Sequence, residues 1–436
     1  MAGGLIWDET YECMPRTELQ QLQLERLQAT VNRAARNVAF YEKEFEDLGI
    51  YPEDIQTLED LQRLPFTEKH DLRDSYPYGM FAVPLREVVR IHQSVGTTGR
   101  PTVVGYTAND LRHWTDLVAR NLTAGGVTKD DVVQIFFGYG VFTGGFGFHQ
   151  GAEAIGASVI PVSHGDTHRQ VEVMRDYRTT VMIGTPYYAL RIAAAAAEMG
   201  VDPHSLSLRI GLFGGEVWDE TVRQEIEDEL LIDAYDVYGL SEIGGPGVSY
   251  ECEARAGLHI AEDQYLVEVI DPNSGEVLPP GEEGELVFTT LNREAMPLLR
   301  YRSGDIGRLN IEPCQCGRTL ARMSRITHHA DDRLVVRGVN IFPEQVKQVL
   351  AEIPGIGDQF QLVVDRTSAP DHLEAHVEVA ADSTPDSMGD LITTEQQIEK
   401  RLQDLLGMAV TVKLLQPGSL DLSQGQTRIV EASPKH

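Results

Sequence analysis

Cysteine is scarce in this chain: four among 436 residues, Cys13, Cys252, Cys314 and Cys316. So few cysteines in so long a chain exclude a disulfide-built scaffold and read as cytoplasmic. Long hydrophobic runs are also missing. No stretch of about 18 or more apolar residues occurs, so no membrane-spanning helix is expected. The start, Met1-Ala2-Gly3-Gly4-Leu5-Ile6-Trp7-Asp8, lacks the basic opening and extended apolar run of a signal peptide. Positive charge is in deficit. Against 67 Asp and Glu stand 37 Lys and Arg, a net charge of −30. That argues against nonspecific nucleic-acid binding, which depends on neutralising phosphates. Internal repeats and low-complexity segments are absent too.

What is present is enough apolar residue, 42%, to build a sizeable core, and enough length for two or three domains. Leu24, Leu27, Val31, Ala34, Val38, Tyr41 and Phe45 recur at spacings of three and four. They predict one long helix over residues 17–48, packed on its own domain rather than serving as a coiled-coil partner. From 131 to 243 strand and helix alternate, with apolar runs at Val132–Phe137, Ser158–Val162, Thr180–Ile183, Leu208–Phe213 and Ile232–Val237. Such alternation implies a parallel sheet covered on both faces, with ligands beyond the carboxyl ends of its strands. Gly138-Tyr139-Gly140, Gly184-Thr185-Pro186, Gly214-Gly215-Glu216 and Tyr238-Gly239 lie at those ends. Residues 257–310 are β-rich. The tail predicts strand 333–339, helix 343–353, strands 359–365 and 373–379, helix 394–406 and strand 409–416, in a ferredoxin-like order. The fold class is therefore α/β: a large N-terminal domain (1–330) with a parallel sheet and a β-rich subdomain, plus a small mobile α+β C-terminal domain (331–436).

One loop carries chemistry on its face. Ser94-Val95-Gly96-Thr97-Thr98-Gly99-Arg100-Pro101-Thr102 lies between two apolar runs and reads as the connection of a hairpin. Its glycines free the backbone, and its hydroxyls, N–H groups and Arg100 can surround a polyphosphate. It is not the P-loop of common NTPases, which needs two glycines four residues apart followed by Lys and Ser/Thr. Cys252, His259, Cys314 and Cys316 form two short clusters about 60 residues apart, and thiolates with imidazole are the preferred ligands of structural Zn²⁺. His259 is also readable as an ordinary core or surface histidine, and His328-His329 is a rival pair.

Two further motifs, Tyr238-Gly239-Leu240-Ser241-Glu242 and Tyr301-Arg302-Ser303-Gly304-Asp305, follow the loop in order. Together the three resemble the signature of the adenylate-forming superfamily of acyl-CoA synthetases. The stretches Phe137–Gly145, Gly244-Gly245-Pro246-Gly247-Val248 and Arg337–Pro343 resemble the phenylacetate–CoA ligase family in particular. The resemblance runs along nearly the whole chain.

It implies a ligase in which a carboxylate attacks the α-phosphate of ATP, pyrophosphate leaves, and CoA thiolate then displaces AMP. It implies that Ser94, Gly96, Thr97, Thr98 and Gly99 handle the β- and γ-phosphates, with Thr98, Arg100 and Glu242 as catalytic residues and Glu242 as the Mg²⁺ carboxylate. Asp305 would accept from the ribose hydroxyls. Gly214, Gly215, Glu216, Asp236 and Tyr238, with Gly239 and Ser241 beside them, would frame the nucleotide, and Arg325 would contact ribose or phosphate. Tyr139, Phe142, Gly144, Pro186 and Ile243 would line the acyl pocket, where aromatic residues amid glycines suit a flat apolar acid. Asp331 would be the hinge acid. The expected partners are an aromatic acid, ATP and CoA, with neither nucleic acid nor membrane; a homodimer is compatible with the sequence. Three departures stand out. Arg100 replaces the family's usual Lys, His328-His329 replaces Gly-Arg before the hinge acid, and Gln426 stands where the adenylation lysine is usual. The last keeps two alternatives open: an aryl-acid adenylating enzyme that loads a carrier protein, and an adenylation-impaired relative.

Overall fold

The five apolar runs between residues 132 and 240 become the parallel half of a nine-stranded sheet. Side by side lie Ser158–Ile160, Val132–Ile135, Val181–Gly184, Ile210–Phe213 and Asp233–Leu240. The computed structural model describes residues 5–94, 101–330, 334–336, 339–341, 343–365, 371–380, 388–420 and 427–430. Strand alternation sends Val181 and Ile183 to one face and Met182 to the other, and each face has its own apolar core. Helices Gly144–Ile155, Thr167–Asp176, Pro186–Glu198 and Glu220–Leu230 connect successive strands.

Asp233–Leu240 is where the sheet changes character. It is parallel to Ile210–Phe213 on one edge and antiparallel to Gly245–Tyr250 on the other. Leu258–Ile260, Arg322–Met323 and Leu309–Asn310 complete the sheet. The β-rich segment forms a second, antiparallel sheet of Tyr265–Ile270, Gly284–Thr290, Tyr301–Gly307 and His328–His329. Val88–Gln93 and Val103–Thr107 pair as the expected hairpin; residues 95–100 between them lie outside the described residues.

The N-terminal helix departs from expectation. It is two helices, Arg16–Asn37 and Ala39–Leu48, broken at Val38, whose backbone is extended at φ −119° and ψ 109°. Val38 is β-branched and disfavours the helix, and the break lets it bury completely beside Ala34 and Tyr41. The face itself is as expected: Leu27, Val31, Ala34, Tyr41 and Phe45 are buried, and Thr30 donates to the Leu291 carbonyl at 3.0 Å. The helix packs on its own unit.

The chain divides into two compact units, the first ending at Ala330. In the second, a four-stranded sheet has the order Thr411–Leu415, His372–Val379, Ile356–Asp365, Thr427–Val430, with helices Pro343–Ala351 and Met388–Leu406. The expected strand 333–339 does not join it. Among the described residues, Leu334–Val336 and Val339–Ile341 pair with each other and with no other strand. The fourth place is taken by Thr427–Val430, parallel to Ile356–Asp365.

Four buried arginines of the first unit, Arg120, Arg223, Arg300 and Arg318, are each paired with an acid. Arg318 meets Glu12 at 2.5 Å, and both side chains are at most 1% exposed. Tyr250 also donates to Glu12, at 3.0 Å. Removing one partner strands the other's charge. Arg318→Met should therefore cost about 3–5 kcal/mol in urea denaturation, and adding Glu12→Gln should recover part of that loss.

Candidate active site

The carboxyl end of Asp233–Leu240 is pinned by backbone contact. A Cβ on Gly239 would fall 2.0 Å from the Gly245 carbonyl oxygen, and one on Gly214 would fall 2.1 Å from that of Val237. Only glycine fits at either place. The chain then delivers Ser241, Glu242 and Ile243. Ser241 Oγ lies 3.0 Å from Thr143 Oγ1, at the start of helix Gly144–Ile155. Among the described residues no cation or hydrogen-bond donor contacts the largely buried Glu242 carboxylate. Ile243 is fully buried in the main core, and its carbonyl accepts from Tyr265 Oη at 2.9 Å.

Asp305 comes from the second sheet and meets this strand through side chains. Tyr238 Oη donates to its Oδ2 at 2.7 Å, and His329 Nδ1 donates to its Oδ1 at 2.7 Å. The Tyr238 ring stacks on Phe288, centroids 5.7 Å apart. Two residues earlier on the same strand, Asp236 lies 3.1 Å from Arg325 Nε. Arg325 also approaches Glu251 at 3.7 Å and sits over the Trp218 ring. Arg223 grips Glu251 through both carboxylate oxygens, at 2.8 and 2.7 Å. Burial, and then the charge of Glu251, push the Asp236 carboxyl well above the usual carboxylate range, although Trp218 and Arg223 pull it down. Sequence reasoning placed Asp236 and Arg325 at the site but missed Arg223, Trp218, Glu251 and the link from His329 to Asp305. No short-range pattern marks them, because the partners lie far apart in the chain.

Gly214 donates its amide to the Gly184 carbonyl at 3.2 Å, joining the ends of two strands. Gly215 has φ +79°, and half-buried Glu216 follows it. Phe137 reaches from the next loop to within 3.8 Å of where a Gly215 Cβ would be, and its ring lies 6.4 Å from Phe142. Phe142 covers Gly144, where a Cβ would come within 2.8 Å of the ring. Tyr139 packs edge-on to Phe146 and bonds to His149 Nδ1 at 3.2 Å. Pro186 opens its helix two residues beyond Gly184. Ser94 is buried at the end of its strand. Gly96, Thr97, Thr98, Gly99, Arg100, Asp331 and Gln426 lie outside the described residues.

The sulfur cluster assembles on the antiparallel wing of the large sheet. The ligand atoms of Cys252, His259, Cys314 and Cys316 all lie within 4.8 Å of one another, and all four residues are buried. Cys252 and Cys314 sulfurs are 3.7 Å apart, and Cys316 Sγ is 3.4 Å from His259 Nε2. The rival histidines go elsewhere: His328 to Thr327, His329 to Asp305.

The AMP-binding enzyme family model matches residues 21–292, and the AMP-binding enzyme C-terminal domain model matches 338–432. The phenylacetate–coenzyme A ligase of Thermus thermophilus is 45% identical over 97% of this chain and 98% of its own.

The chain belongs to the phenylacetate–CoA ligase family.

Another member, from Escherichia coli, is 43% identical over 94% of this chain and 93% of its own. Among solved structures, a 2-hydroxyisobutyryl-CoA ligase holding an acyl-AMP and CoA superposes with a TM-score of 0.92 at 29% identity, covering 99% of this chain and 93% of that one. In this member of the family Tyr238 of the Tyr-Gly-Leu-Ser-Glu strand reaches Asp305 on the second sheet.

The raised Asp236 pKa has a signed consequence. A carboxyl whose pKa is higher folded than unfolded contributes stability below its unfolded value, about 3.9, and that contribution is lost as pH rises through the folded value. Asp236→Asn does not titrate. In thermal melts of nucleotide-free protein, the wild type should lose stability relative to Asp236→Asn as pH rises from about 4. A constant difference across that range would contradict the shift.

Proposed function

We infer that this protein is an ATP-dependent aryl-acid–CoA ligase that works through an acyl-adenylate and releases AMP and pyrophosphate. The observation that carries the inference is its end-to-end kinship with phenylacetate–CoA ligases. In this reading Asp305 receives the ribose hydroxyls, and Gly214, Gly215, Glu216 and Asp236 frame the adenine, with Arg325 behind Asp236. Loop 94–100 handles the β- and γ-phosphates, its amides, hydroxyls and Arg100 offsetting the chain's negative field. Glu242 would hold the Mg²⁺ that accompanies ATP, a hard cation that takes oxygen ligands and neutralises phosphate charge. Tyr139 and Phe142 line the acid pocket, with Gly144, Pro186 and Ile243 behind them; the flat apolar faces of Tyr139 and Phe142 favour an aryl or arylacetic acid over a branched aliphatic one. The chain's work is positioning and charge stabilisation rather than covalent chemistry. Asp331 is the hinge between the two units, and four free cysteines suit a cytoplasmic enzyme.

Cys252, His259, Cys314 and Cys316 would hold a structural Zn²⁺. A tetrahedral ion with Zn–S bonds of about 2.3 Å requires sulfurs about 3.8 Å apart, close to the Cys252–Cys314 spacing, whereas a disulfide would need about 2.05 Å. Cys252 lies in the loop after Gly245–Tyr250, and Cys314 and Cys316 in the loop before Arg322–Met323. The ion would tie together two connections of the sheet's antiparallel wing.

Two measurements test these readings. ATP–pyrophosphate exchange across a panel of acids, with mass spectrometry of products made with CoA, should give aryl-CoA and AMP with phenylacetate-like or benzoate-like acids. Exchange without thioester, or thioester only on a carrier protein, would redirect the assignment. For zinc, elemental analysis of protein purified without added metal should give about one zinc per chain, and a strong chelator should lower the melting temperature. Metal-free protein with reactive Cys314 and Cys316 and an unchanged melting temperature would refute the site.

A further inference from the structure

We propose that His329 is a positioning residue for nucleotide recognition: it fixes the plane of the Asp305 carboxylate, and through it the selection of a ribose bearing both hydroxyls. The proposal rests on the reading of Asp305 as the ribose acceptor.

The last torsion of an aspartate is soft, so a lone carboxylate can turn its plane at little cost. Asp305 is instead gripped at both oxygens, by Tyr238 at Oδ2 and by His329 at Oδ1, each at 2.7 Å. The two donors come from different sheets. Tyr238 stands on the central strand of the large sheet and is held by its stack on Phe288. His329 stands on the two-residue strand His328–His329, directly opposite Asp305 in the antiparallel register. Facing residues in such a pair bring their Cβ atoms within about 5.5 Å. The Ala330 amide donates to the Gly304 carbonyl at 2.7 Å and fixes that register. The Asp305 side chain is 3% exposed and that of His329 14%, so bulk water competes little for either bond. The Asp305 amide also bonds Ser303 Oγ at 3.0 Å, anchoring the backbone below the carboxylate.

Because an ionised carboxylate offers about four acceptor sites, two gripping donors are compatible with further hydrogen bonds from hydroxyls. A vicinal diol needs both oxygens at a set orientation, one for each hydroxyl. The side chain must therefore end in an N–H placed where Nδ1 is. Asparagine can put its amide nitrogen near the Nδ1 position, leucine offers no donor, and glutamine carries its donor one bond too far. Where the family usually has Gly-Arg, this chain has His328-His329, so the grip on Asp305 is built here from an imidazole.

The experiment compares ATP with 2′-deoxyATP in pyrophosphate exchange, for the full-length wild type and variants at His329 and Asp305. His329→Leu should raise the KM for ATP roughly 10-fold or more, the scale of losing one hydrogen bond to a charged group. It should leave the KM for 2′-deoxyATP much less changed, so that the preference for ATP collapses, while the KM for the acid stays put. His329→Asn should keep most of the preference. The readout is a ratio within one preparation, so a partly folded sample does not distort it. Should His329→Leu fail to fold, His329→Gln reads the same ratio. If His329→Leu weakens both nucleotides equally, or His329→Asn is as poor as His329→Leu, the positioning role is overturned. Asp305→Ala separates the two layers. If it abolishes the preference while His329→Leu leaves it intact, only the role of His329 fails. If Asp305→Ala leaves the preference intact, the ribose assignment fails and takes this proposal with it.

Discussion

The strand Asp233–Leu240 is committed on both edges, parallel on one and antiparallel on the other, and the site depends on that commitment. A strand paired on both sides cannot slip register without turning every side chain to the opposite face. Asp236 and Tyr238, two residues apart, therefore share one face, and Ser241 and Glu242 emerge at a set place. The backbone contacts of Gly239 with Gly245 and of Gly214 with Val237 hold the crossing closed. Tyr238 then reaches the second sheet and takes hold of Asp305.

Much of this was legible in the sequence, and for identifiable reasons. The five parallel strands announced themselves as short apolar runs, because a strand buried on both faces has no polar side to show. The meeting of the Tyr238 and Asp305 motifs was foreshadowed because each lies in a stretch whose neighbours are also constrained. The cluster of Cys252, His259, Cys314 and Cys316 was legible from residue type alone, since thiols are rare in this chain and three of its four fall in two short stretches. What stayed hidden involves partners distant in sequence. The grip of Arg223 on Glu251 joins a helix to a strand end, and nothing near either residue marks the other. Val38 breaks the first helix although its spacing fits the helical face, because burial in an extended conformation outweighed the pattern. The tail misled for a similar reason: Thr427–Val430 holds its place in the sheet through parallel pairing with Ile356–Asp365, a contact between segments far apart in sequence.

Charge is arranged in two layers. The chain carries a net −30, yet Arg120, Arg223, Arg300 and Arg318 are buried beside Asp263, Glu251, Glu268 and Glu12. Those guanidiniums neutralise interior carboxylates and tie together segments distant in sequence, so they are not available to attract phosphates. In the proposed reading, attraction to a polyanion comes from short-range contacts at the strand ends, against a repulsive background that salt screens over about 8 Å at physiological ionic strength. Association with ATP or CoA should then be helped by added salt, the reverse of what a basic nucleotide-binding surface would show.

The backbone crossing at Gly214 and Gly239 also limits how the acid range of such an enzyme can change over evolutionary time. No side chain larger than hydrogen is tolerated where the two strand ends meet, so mutation there ends in loss of the fold rather than in a new substrate. The proposed acid pocket is built differently. Tyr139 and Phe142 project from a loop and touch mainly one another's neighbours, Phe146, His149 and Gly144. They can be exchanged singly without disturbing the sheet. In the proposed reading, divergence toward larger, smaller or more polar acids would be channelled into residues 137–146, while the proposed nucleotide side would stay as it is.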